Sequence, residues 1–100
     1  MKVNVQTPHF RADRKLIDYI RQKLSKLEVY YNRIIFADVY LKLQRSSEKQ
    51  NKIVEVLLSV PGDEFIVKKE SKSFEKGMDE CLRVLERLLK KKKEKIRLSV

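Results

Sequence analysis

The spacing of apolar residues switches period along this chain, and the switches limit the folds open to it. "KVNVQ" (2–6) alternates polar and apolar residues, as a strand with one buried face does. Leu16, Ile17, Ile20, Leu24 and Leu27 then recur at steps of 3 and 4, the mark of one apolar helix stripe. That helix is expected from about Arg14 to Glu28, with Asp13 as its N-cap, because a carboxylate there can accept a free backbone N–H. The period returns to strand-like in "IIFADVYLKL" (34–43) and "KIVEVLLSV" (52–60), both rich in β-branched and aromatic residues. The polar "QRSSEKQN" between them is expected to be the mobile loop of a hairpin. "PGD" (61–63) is a turn signal, and "EFIVKKE" (64–70) continues the meander as a third strand. Ser73 is positioned to cap a last helix, whose stripe is Phe74, Met78, Cys81, Leu82, Leu85, Leu88 and Leu89.

The resulting order is β-α-β-β-β-α. Two one-sided helices and four strands define an α+β, two-layer domain in which both helices cover one face of a four-stranded sheet. The meander supplies antiparallel neighbours, while the first helix is long enough to act as a crossover and to place strands one and two parallel. With 100 residues there is room for one modest core, so residues 1–100 are expected to form a single domain. No apolar run approaches the roughly 18 residues of a membrane span, and "MKVNVQTPHF" lacks the apolar stretch of a signal peptide. One cysteine cannot form an internal disulfide, so a reducing cytoplasm is the expected compartment.

Charge is distributed unevenly. The chain carries 24 Lys and Arg against 14 Asp and Glu, a net charge of +10. Residues 1–33 hold eight basic and three acidic residues, and residues 71–100 hold ten and five, whereas residues 34–70 hold six of each. The whole excess therefore lies in the two segments that contain the helices, and a folded domain this basic points to nucleic acid or an anionic surface. Arg14, Lys15, Arg21, Lys23 and Lys26 lie off the first apolar stripe. Arg83, Arg87, Lys90 and Lys91 continue along an outer face of the second helix. Helices packed side by side would join these faces into one polyanion-binding surface. Lysines at a helix C-terminus also complement its dipole, but one or two would do that. Lys90, Lys91, Lys92 and Lys93 in a row, followed by Lys95, exceed what capping requires.

Other chemistries find little support. Cys81 lies on the apolar stripe and is expected to be a buried, quiet thiol. His9 is the only histidine, and a metal site needs three or four convergent ligands. Gly62 and Gly77 are the only glycines, so no phosphate-cradling loop can be assembled, and no acid/base or nucleophile set is evident. Gly77, inside a helix pattern, is expected to mark close packing on the sheet. Tyr30, Tyr31 and Tyr40 could stack on bases, but packing is the expected role. Neither an enzyme nor a cofactor is indicated.

The start "MKVNVQTPHF", the helix ending "KLSKLEVYY", the "PGDEFIVKKE" turn and strand, and "LRVLERLLKKKKEK" together resemble the ribosome hibernation-promoting factors. This family also includes the ribosome-associated translation inhibitors and the sigma-factor modulation proteins. The likeness spans nearly the whole chain and is most specific at "KLSKLE" (23–28) and "LERLLKK" (85–91). It implies a fold like that of double-stranded-RNA-binding domains. It also implies binding to the small ribosomal subunit and its 16S rRNA in the mRNA/tRNA channel, where such a factor blocks initiation and keeps idle ribosomes intact. Lys23 and Lys26 match basic positions of the family's first helix, and Arg87 and Lys91 match those of its last; Lys90, Lys92, Lys93 and Lys95 extend that tract, and Arg83, on the outer face of the same helix, completes the expected RNA-binding set. "SFEKGMDE" departs from the family pattern, keeping the family type only at Asp79. With 100 residues the likeness is to the short class, so no second domain of the kind through which long members pair ribosomes is expected.

The expected partner is thus the small subunit, with no membrane and no small-molecule substrate. A ribosome-dimerising helper protein is a further candidate partner. Two rivals share the same residues: a free double-stranded-RNA binder, and a basic module that docks an acidic protein.

Overall fold

The computed structural model describes residues 1–45 and 50–98. Its elements are β1 (Lys2–Gln6), α1 (Arg14–Ser25), a 3-10 turn η1 (Lys26–Val29), β2 (Phe36–Arg45), β3 (Gln50–Val60), β4 (Asp63–Ser71) and α2 (Phe74–Leu98). The sheet runs β1-β2-β3-β4 in space. β1 pairs parallel with β2, Val3 opposite Ala37 and Val5 opposite Val39. β2–β3 and β3–β4 are antiparallel. The α+β architecture and the parallel crossover agree with the sequence reading.

One sheet face carries the core. Ala37, Val39 and Leu41 of β2, Val54, Val56 and Leu58 of β3, and Val67 of β4 are buried on it. Ile20 and Leu24 of α1 and Met78, Cys81, Leu85 and Leu89 of α2 close over them, each 0% exposed. Burying a Leu or Ile side chain contributes roughly 1.5–3 kcal/mol, so these stripes hold both helices against the same layer.

The helix starts follow from their caps. Leu16 N donates to Asp13 Oδ1 at 2.8 Å, and Lys76 N donates to Ser73 Oγ at 3.1 Å. Both caps satisfy backbone N–H groups that lack a partner within the helix. The end of the first helix differs from the expected continuous run to Glu28. At its last residue Ser25 Oγ donates to the Gln22 carbonyl at 2.6 Å, a side-chain bond that competes with the helical ladder. The chain tightens into η1, and Tyr30 N and Tyr31 N both donate to Leu27 O (3.0 and 3.1 Å). Leu27 and Tyr31 thereby enter the core at 1% and 6% exposure, while Val29 is left 81% exposed.

The strand boundaries also shift. β2 begins at Phe36 rather than Ile34, and the β2–β3 ladder continues to Arg45 opposite Gln50. Part of the predicted loop is thus strand: Asn51 belongs to β3 and its Nδ2 donates to Glu70 Oε1 on β4. Residues 46–49, the rest of that loop, lie outside the described residues. Gly62 at the β3–β4 turn has φ +77°, a backbone angle that favours glycine.

Gly77 is required by close approach. A Cβ there would lie 2.9 Å from Val54 Cγ2, on a fully buried, β-branched side chain with little freedom to move. Gly77→Ala gains about 1 kcal/mol of helix propensity, but overpacking costs about 1–3 kcal/mol. Net destabilisation of about 1 kcal/mol is expected in urea titrations. Pairing it with Val54→Ala should make Gly77→Ala stabilising, and strict additivity of the two changes would contradict the close approach.

Candidate nucleic-acid interface

α1, η1 and α2 lie side by side, and cations from all three meet in the cleft between them. Lys23, Lys26 and Arg83 line a groove of about 280 Å³ with Leu27, Asp79 and Glu86. Asp79 organises its floor. Tyr19 Oη donates to Asp79 Oδ1 at 2.7 Å, and Lys23 Nζ lies 4.0 Å from the same oxygen and 5.3 Å from the Tyr19 ring centre. Burial, followed by the bond to Asp79, pushes the Tyr19 phenol up to about 12, so it stays a neutral donor that ties α1 to α2.

Arg83 also borders a neighbouring groove with Arg87, Glu80 and Lys69. Lys69 comes from β4, in the segment whose charges cancel. Sequence reasoning missed it because net charge by segment ignores strand faces. Strand alternation with Phe65 and Val67 was the available signal, and the register opposite the buried Val54 puts Lys69 on the helix-covered face. Arg83 and Arg87, both exposed, thus form a ridge flanked by Lys23 and Lys26 on one side and Lys69 on the other.

The lysine block does not form one surface. Successive helix positions point about 100° apart, and the neighbours of α2 sort them. Lys90 Nζ stands 4.8 Å over the Tyr30 ring. The Tyr30 phenol is itself raised in pKa by its hydrogen bond to Glu86. Lys93 lies on the same η1 side, in a groove with Tyr30, Tyr31 and Arg33. Lys91, Lys92 and Lys95 turn the other way, toward the start of β4. From Lys90 to Ile96 no α2 side chain is buried, so the helix runs past the end of its core. The Lys90–Tyr30 pair is a cation–π contact worth about 0.5–1 kcal/mol at an exposed site, and it gives Tyr30 a packing role.

Cys81 is buried beneath this face. Its Sγ is 3.7 Å from the Val54 carbonyl, fully buried, and burial pushes its thiol up to about 12 against a weak opposing pull from Lys69. Thiol reagents should label the native protein slowly and the unfolded protein quickly; fast native labelling would refute the buried assignment. The raised pKa also sets a pH dependence. Burial favours the neutral thiol, so that contribution to stability is full below about pH 9 and is lost as pH rises toward 12. The urea midpoint of the parent should therefore fall more between pH 8 and 10.5 than that of Cys81→Ala. Among the described residues no group of three or more His, Cys, Asp or Glu side chains could hold a metal ion, and no helix is long and apolar enough to cross a membrane.

This arrangement, two helices laid over one face of a mixed four-stranded sheet, recurs in known proteins. The solved ribosomal subunit interface protein from Coxiella burnetii superposes with a TM-score of 0.83 at 20% identity, covering 94% of this chain and 99% of that one. The protein Y N-terminal domain from Thermus thermophilus gives 0.78 at 22% identity, covering 91% and 98%. Both likenesses establish the fold. At the sequence level, a ribosome hibernation promoting factor from Pseudomonas putida is 32% identical over 95 residues, 95% of this chain and 89% of the relative. One from Azotobacter vinelandii is 30% identical over 95 residues, 95% and 85% of the two chains. The profile of the sigma 54 modulation protein / S30EA ribosomal protein family matches residues 3–97, and the chain belongs to that family.

Proposed function

We propose that this protein is a ribosome hibernation factor that binds the small ribosomal subunit through its two-helix basic face. The observation that carries the reading is the convergence of Lys23, Lys26, Arg83, Arg87 and Lys69 on one side of the molecule. Family membership and relatives named ribosome hibernation promoting factors support it. The chemistry is that of phosphate recognition. Each phosphate neutralised by a Lys or Arg releases counterions, so affinity is large at low salt and falls as salt rises. A surface of this kind reads the backbone and shape of folded 16S rRNA, with little reading of base sequence. Occupying the mRNA/tRNA channel there excludes initiation and preserves the idle subunit. The described residues act as a single ribosome-binding unit, in the cytoplasm where ribosomes work.

Purified small subunits mixed with the protein and sedimented through sucrose provide the test. The protein should travel with the subunit at low salt, release steeply as salt rises, and inhibit translation in an extract at stoichiometric ratios. Sedimentation with large subunits alone, or inhibition without subunit binding, would overturn the reading.

A further inference from the structure

The groove at the C-terminal end of α2 has a composition that phosphate binding alone does not require. Leu88, Lys91, Lys92, Lys95 and Ile96 fall at steps of 3 and 4 on one side of α2 and face the start of β4, where Phe65 completes the wall. The space is about 520 Å³, within the roughly 300–1,000 Å³ of small-ligand sites. Its floor is apolar (Phe65, Leu88, Ile96), and three ammonium groups rim it. Asp63 is the one carboxylate among its lining residues, and its Oδ1 accepts from Glu64 N at 2.8 Å, which ties it into the β3–β4 turn. Phe65 and Leu88 are half-buried against the core, so the floor is held in place, while Ile96 is 43% exposed.

We propose that this groove takes a single unpaired nucleotide of the RNA partner, its base against Phe65, Leu88 and Ile96 and its flanking phosphates on Lys91, Lys92 and Lys95. The inference rests on the RNA reading above and adds to it. The cationic rim selects a polyanion. Paired A-form RNA presents phosphates and sugars outward and keeps its bases stacked inside, so it offers nothing to an apolar floor between lysines. An extruded base offers a flat apolar face and phosphates on either side, and aromatic side chains are the usual platform for it. The protein therefore recognises two RNA features with two surfaces: backbone along the α1–α2 ridge, and one bulged or looped-out nucleotide at the end of α2.

Two RNA hairpins separate these surfaces: one fully paired, the other identical but carrying a one-nucleotide 2-aminopurine bulge. The intact protein should bind the bulged hairpin at least about fivefold more tightly, the lower end of what one base–aromatic stack contributes, and should quench the 2-aminopurine on binding. Phe65→Leu keeps apolar bulk but removes the aromatic face; it should abolish both the preference and the quenching and leave affinity for the paired hairpin unchanged. Ile96→Ser, at an exposed position, should weaken the preference without touching the core. Equal affinity of the unmodified protein for both hairpins, or a preference that survives Phe65→Leu, overturns the nucleotide site. The ridge is judged separately: if neutralising Lys23, Lys26, Arg83 and Arg87 leaves binding of the paired hairpin unchanged, the backbone-binding reading fails instead.

Discussion

Replacing Lys23, Lys26, Arg87 and Lys91 together by Gln should weaken small-subunit binding by about a thousandfold near physiological salt, the drop expected when four phosphates are no longer neutralised. The slope of log affinity against log salt should flatten by about 0.7–0.9 for each of those phosphates. Lys26, Arg87 and Lys91 are exposed and Lys23 is half-buried beside Asp79. Substitutions at such surface sites usually change stability by within about 0.5 kcal/mol each, and Asp79 keeps its bond from Tyr19. Lys2, Lys42 and Lys68 are the control. Their register puts them on the sheet face opposite the helices, where Lys42 Nζ already lies 3.9 Å from Glu55. Per charge removed, this second set should cost far less affinity and leave most translation inhibition in place. Equal weakening by the two sets would show that net charge alone drives binding and that the helix face is not a site.

The largest stability effect is expected at Leu85→Ala. Leu85 is 0% exposed at the middle of α2, within the same cluster as Val56, Val67 and Leu24. Truncating a fully buried leucine costs about 2–5 kcal/mol, the spread reflecting how far the cavity collapses. A domain has only about 5–15 kcal/mol in total, so a large fraction of the fold's margin should disappear. A urea titration should show the midpoint fall with the slope unchanged. Leu88→Ala, one helical turn on and only half-buried at the groove wall, should cost less than half as much. Equal costs at the two positions would mean that the core extends further along α2 than the burial pattern shows.

Both predictions depend on features of different legibility. The stripe that buries Leu85 was plain in the sequence, because helical period is a local property of a few consecutive turns. So were the caps at Asp13 and Ser73, the parallel crossover of β1 and β2, the buried thiol of Cys81 and the close packing of Gly77. The caps, the thiol and the glycine need only the residue's own chemistry and its spacing from near neighbours, and the crossover needs only the order of elements and a connecting helix of sufficient length. The charge excess of the two helical segments was equally legible, since formal charge requires no geometry.

The positions of those charges were decided by tertiary structure. Lys69 joins Arg83 and Arg87 only because β4 pairs with β3 in a register that turns it toward α2. The row of lysines at 90–93 reads as one block along the chain, yet Tyr30 holds Lys90 on one flank while Lys91 and Lys92 border the groove under Phe65. Asp79 meets Tyr19 across 60 residues of sequence, a pairing that neither helix encodes alone. Which faces are apolar, where the helices start and how much charge they bear all follow from local spacing and residue type, because burial and backbone capping act locally. Only the packed structure decided which cations share a surface, because long side chains on a 100°-per-residue helix are sorted by neighbours that arrive from distant strands and turns.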